Sequence, residues 1–320
     1  MSESSDYGET NWDHGHTFGQ ERHTYRARAD RSYGEAKQRG VEDYDLLPEQ
    51  IVVTCTRLLL LSLDVTGSMG DWPPIVFDKA PYLQYEIKYY TGDDGQICVS
   101  AFGDAVKGED FALQMRPPAT GTEVKNRINE LKHTNMGGNN KMESSDLALL
   151  YASRNIEHPL GAKPILIIVT DEAPHDQVTS ALAKKHARVD MTSTLCVEDV
   201  IKEAAQKYDI YVILKPYGSE DRGDYYSTII QNRWIGLVGR DHIANLSEAE
   251  RVVDVIFGIL GAATNKIDYF LTEIRGRQRP EQVDVVLEAL KHIFTDKAIG
   301  PKAGERVNNE EVDDDVGPLL

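Results

Sequence analysis

The sequence predicts an α/β fold with a doubly wound, mostly parallel central sheet flanked by helices. Short apolar runs recur from residue 51 onward, and several are apolar throughout, as strands covered on both faces require. Amphipathic stretches with helical spacing separate these runs. Strands that alternate with helices are joined by crossover connections, which make neighbouring strands parallel.

Each run and each stretch predicts one element. The predicted strands are Arg57–Asp64, Gln96–Gly103, Pro164–Asp171, Ile210–Lys215 and His242–Leu246. One-sided apolar residues predict helices around Val124–Leu131, Leu147–Tyr151, Val197–Tyr208, Val252–Ile259 and Ile267–Ile274. Together these elements predict one doubly wound domain.

The chain divides into four predicted parts. They are a polar N-terminal arm (1–45), the α/β domain (46–275), a C-terminal amphipathic helix (276–297) and an acidic tail (298–320). Pro280 opens the C-terminal helix, and its apolar stripe would be a costly patch in water. We therefore expect this helix to pack on the domain, with Tyr44, Leu46 and Leu47 as apolar partners. The alternative is that its apolar stripe binds a second chain.

Charge and composition limit the classes of partner. Lys and Arg number 35, Asp and Glu number 52, and the formal net charge is −17. An acidic chain repels phosphate backbones and anionic lipid surfaces, which argues against nucleic-acid and membrane partners. Cys55, Cys98 and Cys196 form neither a zinc pattern nor a disulfide framework, and the polar N-terminus is unlike a signal peptide. We therefore expect a cytoplasmic protein with buried free thiols.

The first predicted strand ends in a loop rich in oxygen ligands. Asp64 ends the strand, and Thr66 and Ser68 follow at alternate positions in a turn that contains Gly67 and Gly70. Ligands of open α/β sheets bind at the carboxyl ends of strands. One carboxylate and two hydroxyls on one small concave surface suit Mg²⁺, Mn²⁺ or Ca²⁺ and do not suit soft metals.

Two later loops are expected at the same edge of the sheet. Asp171 ends a later strand, and its charge would repel that of Asp64 unless a divalent cation lay beside them. A Gly-Gly loop before a predicted helix carries Asn139 and Asn140, either of which has an amide oxygen for the metal. The predicted ligands are Asp64, Thr66, Ser68, Asn140 and Asp171.

These loops resemble those of von Willebrand factor A domains, over about residues 55–265. That family's metal-ion-dependent adhesion site has Asp-x-Ser/Thr-x-Ser after the first strand, which Asp64, Thr66 and Ser68 match. Asp171 matches the family's later aspartate, whereas Asn140 stands where relatives carry an acid or threonine. The resemblance implies a Rossmann-like von Willebrand A fold of the bacterial or phage intracellular type, with a bound Mg²⁺, Mn²⁺ or Ca²⁺.

The resemblance also implies a function. The chain is expected to be a non-enzymatic adaptor whose cation accepts an Asp or Glu of a protein partner. Bacterial and phage members of the family commonly act with a MoxR-type AAA+ ATPase, which the resemblance therefore implies as the partner. The expected partner-binding rim consists of four residues, which are Trp72, Asn139, Glu143 and His175. For Trp72 the sequence equally allows packing over the first helix of the domain.

The residues leave two other functions open. A metal-activated water could hydrolyse a phosphoester or similar bond, with His175 or Glu143 as the general base. The chain has no Gly-x-Ser-x-Gly elbow, Gly-x-Gly-x-x-Gly loop or P-loop, which argues against other enzyme classes. The third possibility is a structural or assembly component in which the metal site is a relic.

Overall fold

A computed structural model of the protein describes residues 46–109, 111–132, 141–159, 161–217 and 223–298, and of residues 223, 224 and 296–298 it describes the backbone only. All structural statements below concern these residues. The predicted N-terminal arm, the tail beyond residue 298 and the predicted site residues Asn139 and Asn140 lie outside them. The predicted domain boundaries stay predictions.

The described part of the chain contains twelve strands and ten α-helices. The strands are β1 (Ile51–Val52), β2 (Leu58–Asp64), β3 (Gln96–Phe102), β4 (Leu113–Met115), β5 (Met142–Glu143), β6 (Ile156–Glu157), β7 (Ile165–Thr170), β8 (Ala173–Pro174), β9 (Gln177–Val178), β10 (Leu195–Cys196), β11 (Asp209–Leu214) and β12 (Ile243–Asn245). The α-helices are α1 (Trp72–Lys79), α2 (Leu83–Thr91), α3 (Thr122–Glu130), α4 (Ser145–Asn155), α5 (Ser180–Ala187), α6 (Val197–Lys207), α7 (Gly223–Val238), α8 (Val252–Ala263), α9 (Ile267–Arg277) and α10 (Pro280–Ala298).

The central sheet of the described chain is mixed. Its six strands lie in the order β12-β11-β7-β2-β3-β4, and neighbours are parallel except for β4, which runs antiparallel to β3. The connection from β3 to β4 contains a 3-10 turn at Ala105–Lys107 instead of a crossover helix, so the chain returns antiparallel. The sequence does not predict β4, because three residues are too few to show a period.

Helices cover both faces of the sheet. Leu59, Leu61 and Leu63 of β2 lie in an apolar cluster with α1, α2, α3, α8, α9 and α10. Leu58 and Leu60 lie in a second cluster with α4, α5, α6 and α7. This alternation is the period of two of a strand, and burial on both faces explains why β2 is apolar at nearly every position. None of the described helices combines the length and apolar character needed to cross a membrane.

The last helix packs on the domain. Val286, Leu290 and Ile293 of α10 are fully buried, and they lie in the same cluster as α8 and α9. The expected packing of this helix on Leu47 is wrong, because Leu47 lies in the cluster on the opposite face of the sheet. Leu46 is buried but belongs to neither apolar cluster. The third expected partner, Tyr44, lies outside the described residues.

Gly258 marks a close approach of α8 to α10. A Cβ built at Gly258 lies 2.1 Å from Leu290 Cδ1 and 3.1 Å from Phe270 Cζ. Gly258→Ala should therefore lower the free energy of unfolding by about 1–3 kcal/mol, as overpacking of a filled core does. The matched control is Gly276→Ala, because nothing lies within 4 Å of its added Cβ. Equal stability of the two variants in urea titrations would contradict this packing.

Candidate functional site

Two buried aspartates meet at the carboxyl edge of the central sheet. β2 and β7 are parallel neighbours with Leu63 paired to Val169, so both strands end at the same edge. Asp64 is the last residue of β2 and Asp171 follows β7, and these residues are 1% and 0% exposed. The strand order thus brings together two carboxylates that lie in separate loops of the sequence.

The loop after β2 folds around the Asp64 carboxylate. Thr66 donates to Asp64 Oδ1 from its backbone N–H at 3.0 Å and from its hydroxyl at 2.6 Å. A 3-10 turn over Gly67–Met69 then brings the Ser68 hydroxyl within 3.2 Å of the Thr66 hydroxyl. Gly70 follows the turn with a φ of +58°, a conformation that favours glycine.

Two hydroxyls connect this loop to the end of β7. Ser68 donates from its hydroxyl to Asp171 Oδ1 at 2.9 Å. Thr170 donates from its hydroxyl to Asp64 Oδ2 at 2.6 Å. Thr170 is not among the predicted site residues, and its place at the end of β7, next to Asp171, is the signal that indicates it.

A lysine also lies in this cluster. β11 is the other neighbour of β7, and Lys215 follows β11 at the same edge of the sheet. The Lys215 ammonium donates to Asp171 Oδ2 at 2.7 Å and to the Ser68 carbonyl at 3.0 Å. Lys215 is not a predicted site residue, because the lateral order of the strands is not visible in the sequence.

Repulsion persists between the two aspartates. Burial, and after it the charge of Asp171, raises the pKa of Asp64 to about 7, although hydrogen bonds from Thr170 and Thr66 act in the opposite direction. The fully ionised pair is therefore costly at neutral pH, and an added cation would stabilise it.

Two buried glutamates extend the acidic cluster. Strands β5 and β8 pair in parallel, and Glu143 lies opposite Pro174. Glu172 precedes Pro174 by two residues, so this pairing brings Glu143 and Glu172 close together. Burial, followed by the charges of Asp64 and Glu172, raises the pKa of Glu143 to about 11. Burial, followed by the charges of Asp171 and Asp64, raises the pKa of Glu172 to about 8. Among the described residues, none of the four side-chain oxygens of Glu143 and Glu172 has a hydrogen-bond partner, so the ionised form of either carboxyl group would be uncompensated.

Three of the four predicted rim residues are buried. Trp72 is 7% exposed and lies in an apolar cluster, and Glu143 is 1% exposed. His175 is 7% exposed, and its Nε2 lies 3.0 Å from Asp104 Oδ1. These three side chains therefore do not form an exposed rim. The fourth residue, Asn139, lies outside the described residues.

His175 is a counter-charge to buried carboxyl groups. Burial lowers its pKa, but the hydrogen bond to Asp104 and the charges of Asp146 and Asp104 outweigh this and raise the pKa above its usual value. Burial raises the pKa of Asp146 to about 7, against the opposing charge of His175. With a pKa raised to about 11, Glu143 is a poor general base at neutral pH, which argues against its role in the hydrolase alternative.

The aromatic residue at the border of the acidic cluster is Tyr217. Burial, followed by the charges of Glu172 and Asp171, raises the pKa of its hydroxyl, which therefore lies near those carboxyl groups. The Tyr217 ring contacts the Tyr226 ring with 5.8 Å between centroids, and Lys141 Nζ lies 3.9 Å over Tyr226. Tyr217 thus holds the bordering position that the sequence led us to expect for Trp72.

Comparisons with known proteins give matches among solved structures. No family model and no curated protein matches the chain. The pilus adhesin SpaC from Lactobacillus rhamnosus GG matches with a TM-score of 0.46 and 11% identity, over 76% of this chain and 32% of that chain. Proximal thread matrix protein 1 from the mussel byssus matches with a TM-score of 0.43 and 11% identity, over 67% and 48%. A point mutant of the PilB minor pilin from Streptococcus sanguinis gives 0.42 and 12%, over 69% and 64%.

This chain spans less than two thirds of the length of each of these three proteins. At such scores and identities, the matches assign no function to it. None of the three printed names is that of an enzyme.

The predicted family and fold class need correction. Neither the von Willebrand factor A assignment nor its metal-ion-dependent adhesion site is supported, since no family model matches and the matched structures are named as an adhesin, a thread protein and a pilin. Among the described residues, no group of three or more His, Cys, Asp or Glu is placed to hold a metal ion. The structure has a mixed, mostly parallel sheet. The Asp64-x-Thr66-x-Ser68 motif does not identify a family by itself. The Thr66 hydroxyl donates a hydrogen bond to Asp64 within the same loop, and such local hydrogen bonds occur in turns of many folds.

Proposed function

We propose that this chain is a protein-binding module in which the residues around Asp64 and Asp171 hold one divalent cation. Mg²⁺ is the preferred candidate for this cation. Thr66 and Ser68 complete the described ligand set, and Asn140 lies outside the described residues. The observation that supports the proposal is the convergence of these four residues at one sheet edge, with side-chain oxygens 2.6–3.2 Å apart.

The spacing of these oxygens suits a small cation. Oxygens at adjacent corners of a magnesium octahedron lie about 3.0 Å apart, because each ligand is about 2.1 Å from the ion. Thr66 Oγ1 lies 3.2 Å from Ser68 Oγ, and Ser68 Oγ lies 2.9 Å from Asp171 Oδ1. All four groups are hard oxygen ligands, and only two of them are carboxylates, so the proposed site does not need three acidic ligands.

The chemistry of the partner follows from the charge of the site and of the chain. A bound Mg²⁺ supplies a Lewis acid that accepts a further anionic oxygen. The chain carries a net charge of −17, so its overall electrostatic field does not attract an acidic partner. Such a partner would bind through the cation alone. We therefore propose a protein segment that presents Asp or Glu. The expected AAA+ ATPase partner rests on the family resemblance alone, which the comparisons do not support.

A displayed peptide library, bound to the immobilised full chain in MgCl₂ and eluted with EDTA, tests this proposal. We expect every eluted peptide to need one Asp or Glu, with binding lost on change to Asn or Gln and lost in Asp64→Ala. The matched control is Asp94→Asn, because exposed Asp94 accepts hydrogen bonds from Thr56 before β2, at the amino edge of the sheet. Peptides that bind equally well in EDTA, or without an acidic residue, would contradict the proposal.

A further inference from the structure

Lys215 is already placed as a cation inside the acidic cluster. Its side chain is 15% exposed, whereas that of Asp171 is fully buried. Its ammonium contacts Asp171 Oδ2 at 2.7 Å and the Ser68 carbonyl at 3.0 Å. Both contacts are with residues of the proposed ligand set, and one of them is with a carboxylate that the divalent cation would use.

Two cations that share one carboxylate oppose each other. An ammonium at 2.7 Å from Asp171 offsets the charge of that carboxylate, so less of it acts on a second cation nearby. The ammonium also repels a second cation directly, and within a buried cluster this repulsion is weakly screened. At the same time, Lys215 gives buried Asp171 an opposite charge when no metal is present, which avoids an uncompensated charge in the core.

We propose that Lys215 is a tethered counter-cation, which competes with the divalent cation for Asp171 and thereby sets the metal affinity of the site. This inference rests on the function proposed above and adds its regulation. In the metal-free protein, the Lys215 contact holds the ends of β7 and β11 and the Ser68 loop together. A divalent cation on Asp171 would require the Lys215 ammonium to leave Asp171 Oδ2, and the partial exposure of the lysine side chain gives it access to solvent. The lysine therefore keeps the fold independent of metal and keeps metal binding weak.

Titration with Mn²⁺ alone, followed by electron paramagnetic resonance of the free ion, tests this role. Lys215→Met removes the charge and keeps most of the stem. We expect its Mn²⁺ dissociation constant to fall about tenfold or more, since removing a unit charge at contact distance changes the interaction by at least that much. Its melting temperature in EDTA should fall below that of the wild type. Lys202→Met, at an exposed position of α6, should match the wild type in both measurements.

Two further variants keep the test decisive if Lys215→Met does not fold. Lys215→Gln can still donate a hydrogen bond to Asp171 and should also bind Mn²⁺ more tightly than the wild type. Lys215→Arg keeps the charge and should retain the wild-type affinity. Equal or weaker Mn²⁺ binding in the uncharged variants would overturn the role of Lys215 and leave the proposed function standing.

The remaining outcomes separate the two proposals. Mn²⁺ binding by Lys215→Met together with none by the wild type would support the counter-cation and reject metal-dependent function in the native chain. Absence of binding in every variant would overturn both.

Discussion

Glu143→Gln should raise the free energy of unfolding of the metal-free protein by on the order of 5 kcal/mol at pH 8, because pH 8 lies about 3.5 units above the unfolded pKa and each unit corresponds to about 1.4 kcal/mol. Burial, followed by the charges of Asp64 and Glu172, raises the pKa of Glu143 from 4.5 to about 11. The folded state therefore favours the protonated acid. Below about pH 4.5 Glu143 is protonated in both the folded and the unfolded state, so its raised pKa does not lower stability. As the pH rises from 4.5 towards the pKa of the folded state, the wild type progressively loses free energy of unfolding.

Glutamine does not titrate, so the advantage of Glu143→Gln should grow with pH. Urea titrations in EDTA between pH 5 and pH 8, a range in which the unfolded acid is already ionised, measure this effect. Glu248→Gln, at an exposed position, is the matched control and should leave stability unchanged at every pH. A loss of stability in Glu143→Gln, or a gain that does not vary with pH, would contradict the charge repulsion in this cluster.

His175→Gln should have the opposite effect and lower the free energy of unfolding by about 3–5 kcal/mol, as loss of one partner of a buried ion pair does. His175 bonds to fully buried Asp104, and the charges of Asp104 and Asp146 outweigh burial and raise the His175 pKa. A raised histidine pKa gives stability that is complete below about pH 6.5 and is lost as the pH rises through the folded value. The deficit of the variant should therefore be largest in mildly acidic buffer.

Thermal or urea unfolding in EDTA at pH 5.5 and pH 8 measures this difference, with half-buried His292→Gln on α10 as the matched control. Equal stability of His175→Gln and the wild type at pH 5.5 would show that His175 does not carry the proton. If Glu143→Gln stabilises the protein and His175→Gln destabilises it, then buried carboxyl groups outnumber cations at the carboxyl edge of the sheet.

The sequence predicts much of the fold because strand burial leaves a local trace. β2 and β7 are apolar along almost their whole length, and both occur close to their predicted bounds. The meeting of Asp64 and Asp171 follows from these two strands alone, once they are parallel neighbours. The short antiparallel β4 has no such trace, because a three-residue strand depends on its partner β3 for its hydrogen bonds.

Side-chain contacts across the sheet edge are less visible in the sequence. Lys215 and Thr170 reach the two aspartates only because β11, β7 and β2 lie side by side, and lateral order is a tertiary property. The sequence leaves exposure and packing equally open for Trp72, and in the structure it begins an eight-residue helix and packs into the apolar cluster. So short a helix gives little periodic signal for the side that it buries. The cytoplasmic location stays a prediction.

Calorimetric titration of the wild type and Asp64→Asn with Mg²⁺, together with their melting temperatures, tests the central claim most directly. Asparagine keeps the shape of the side chain and an acceptor for Thr66, but it lacks the charge. We expect one Mg²⁺ per wild-type chain and a melting temperature that rises with Mg²⁺, because a ligand of the folded state stabilises it by mass action. Asp94→Asn should keep both responses, and Asp64→Asn should lose both. Identical responses of wild type and Asp64→Asn, or a wild type that binds no Mg²⁺, would contradict the proposed cation site.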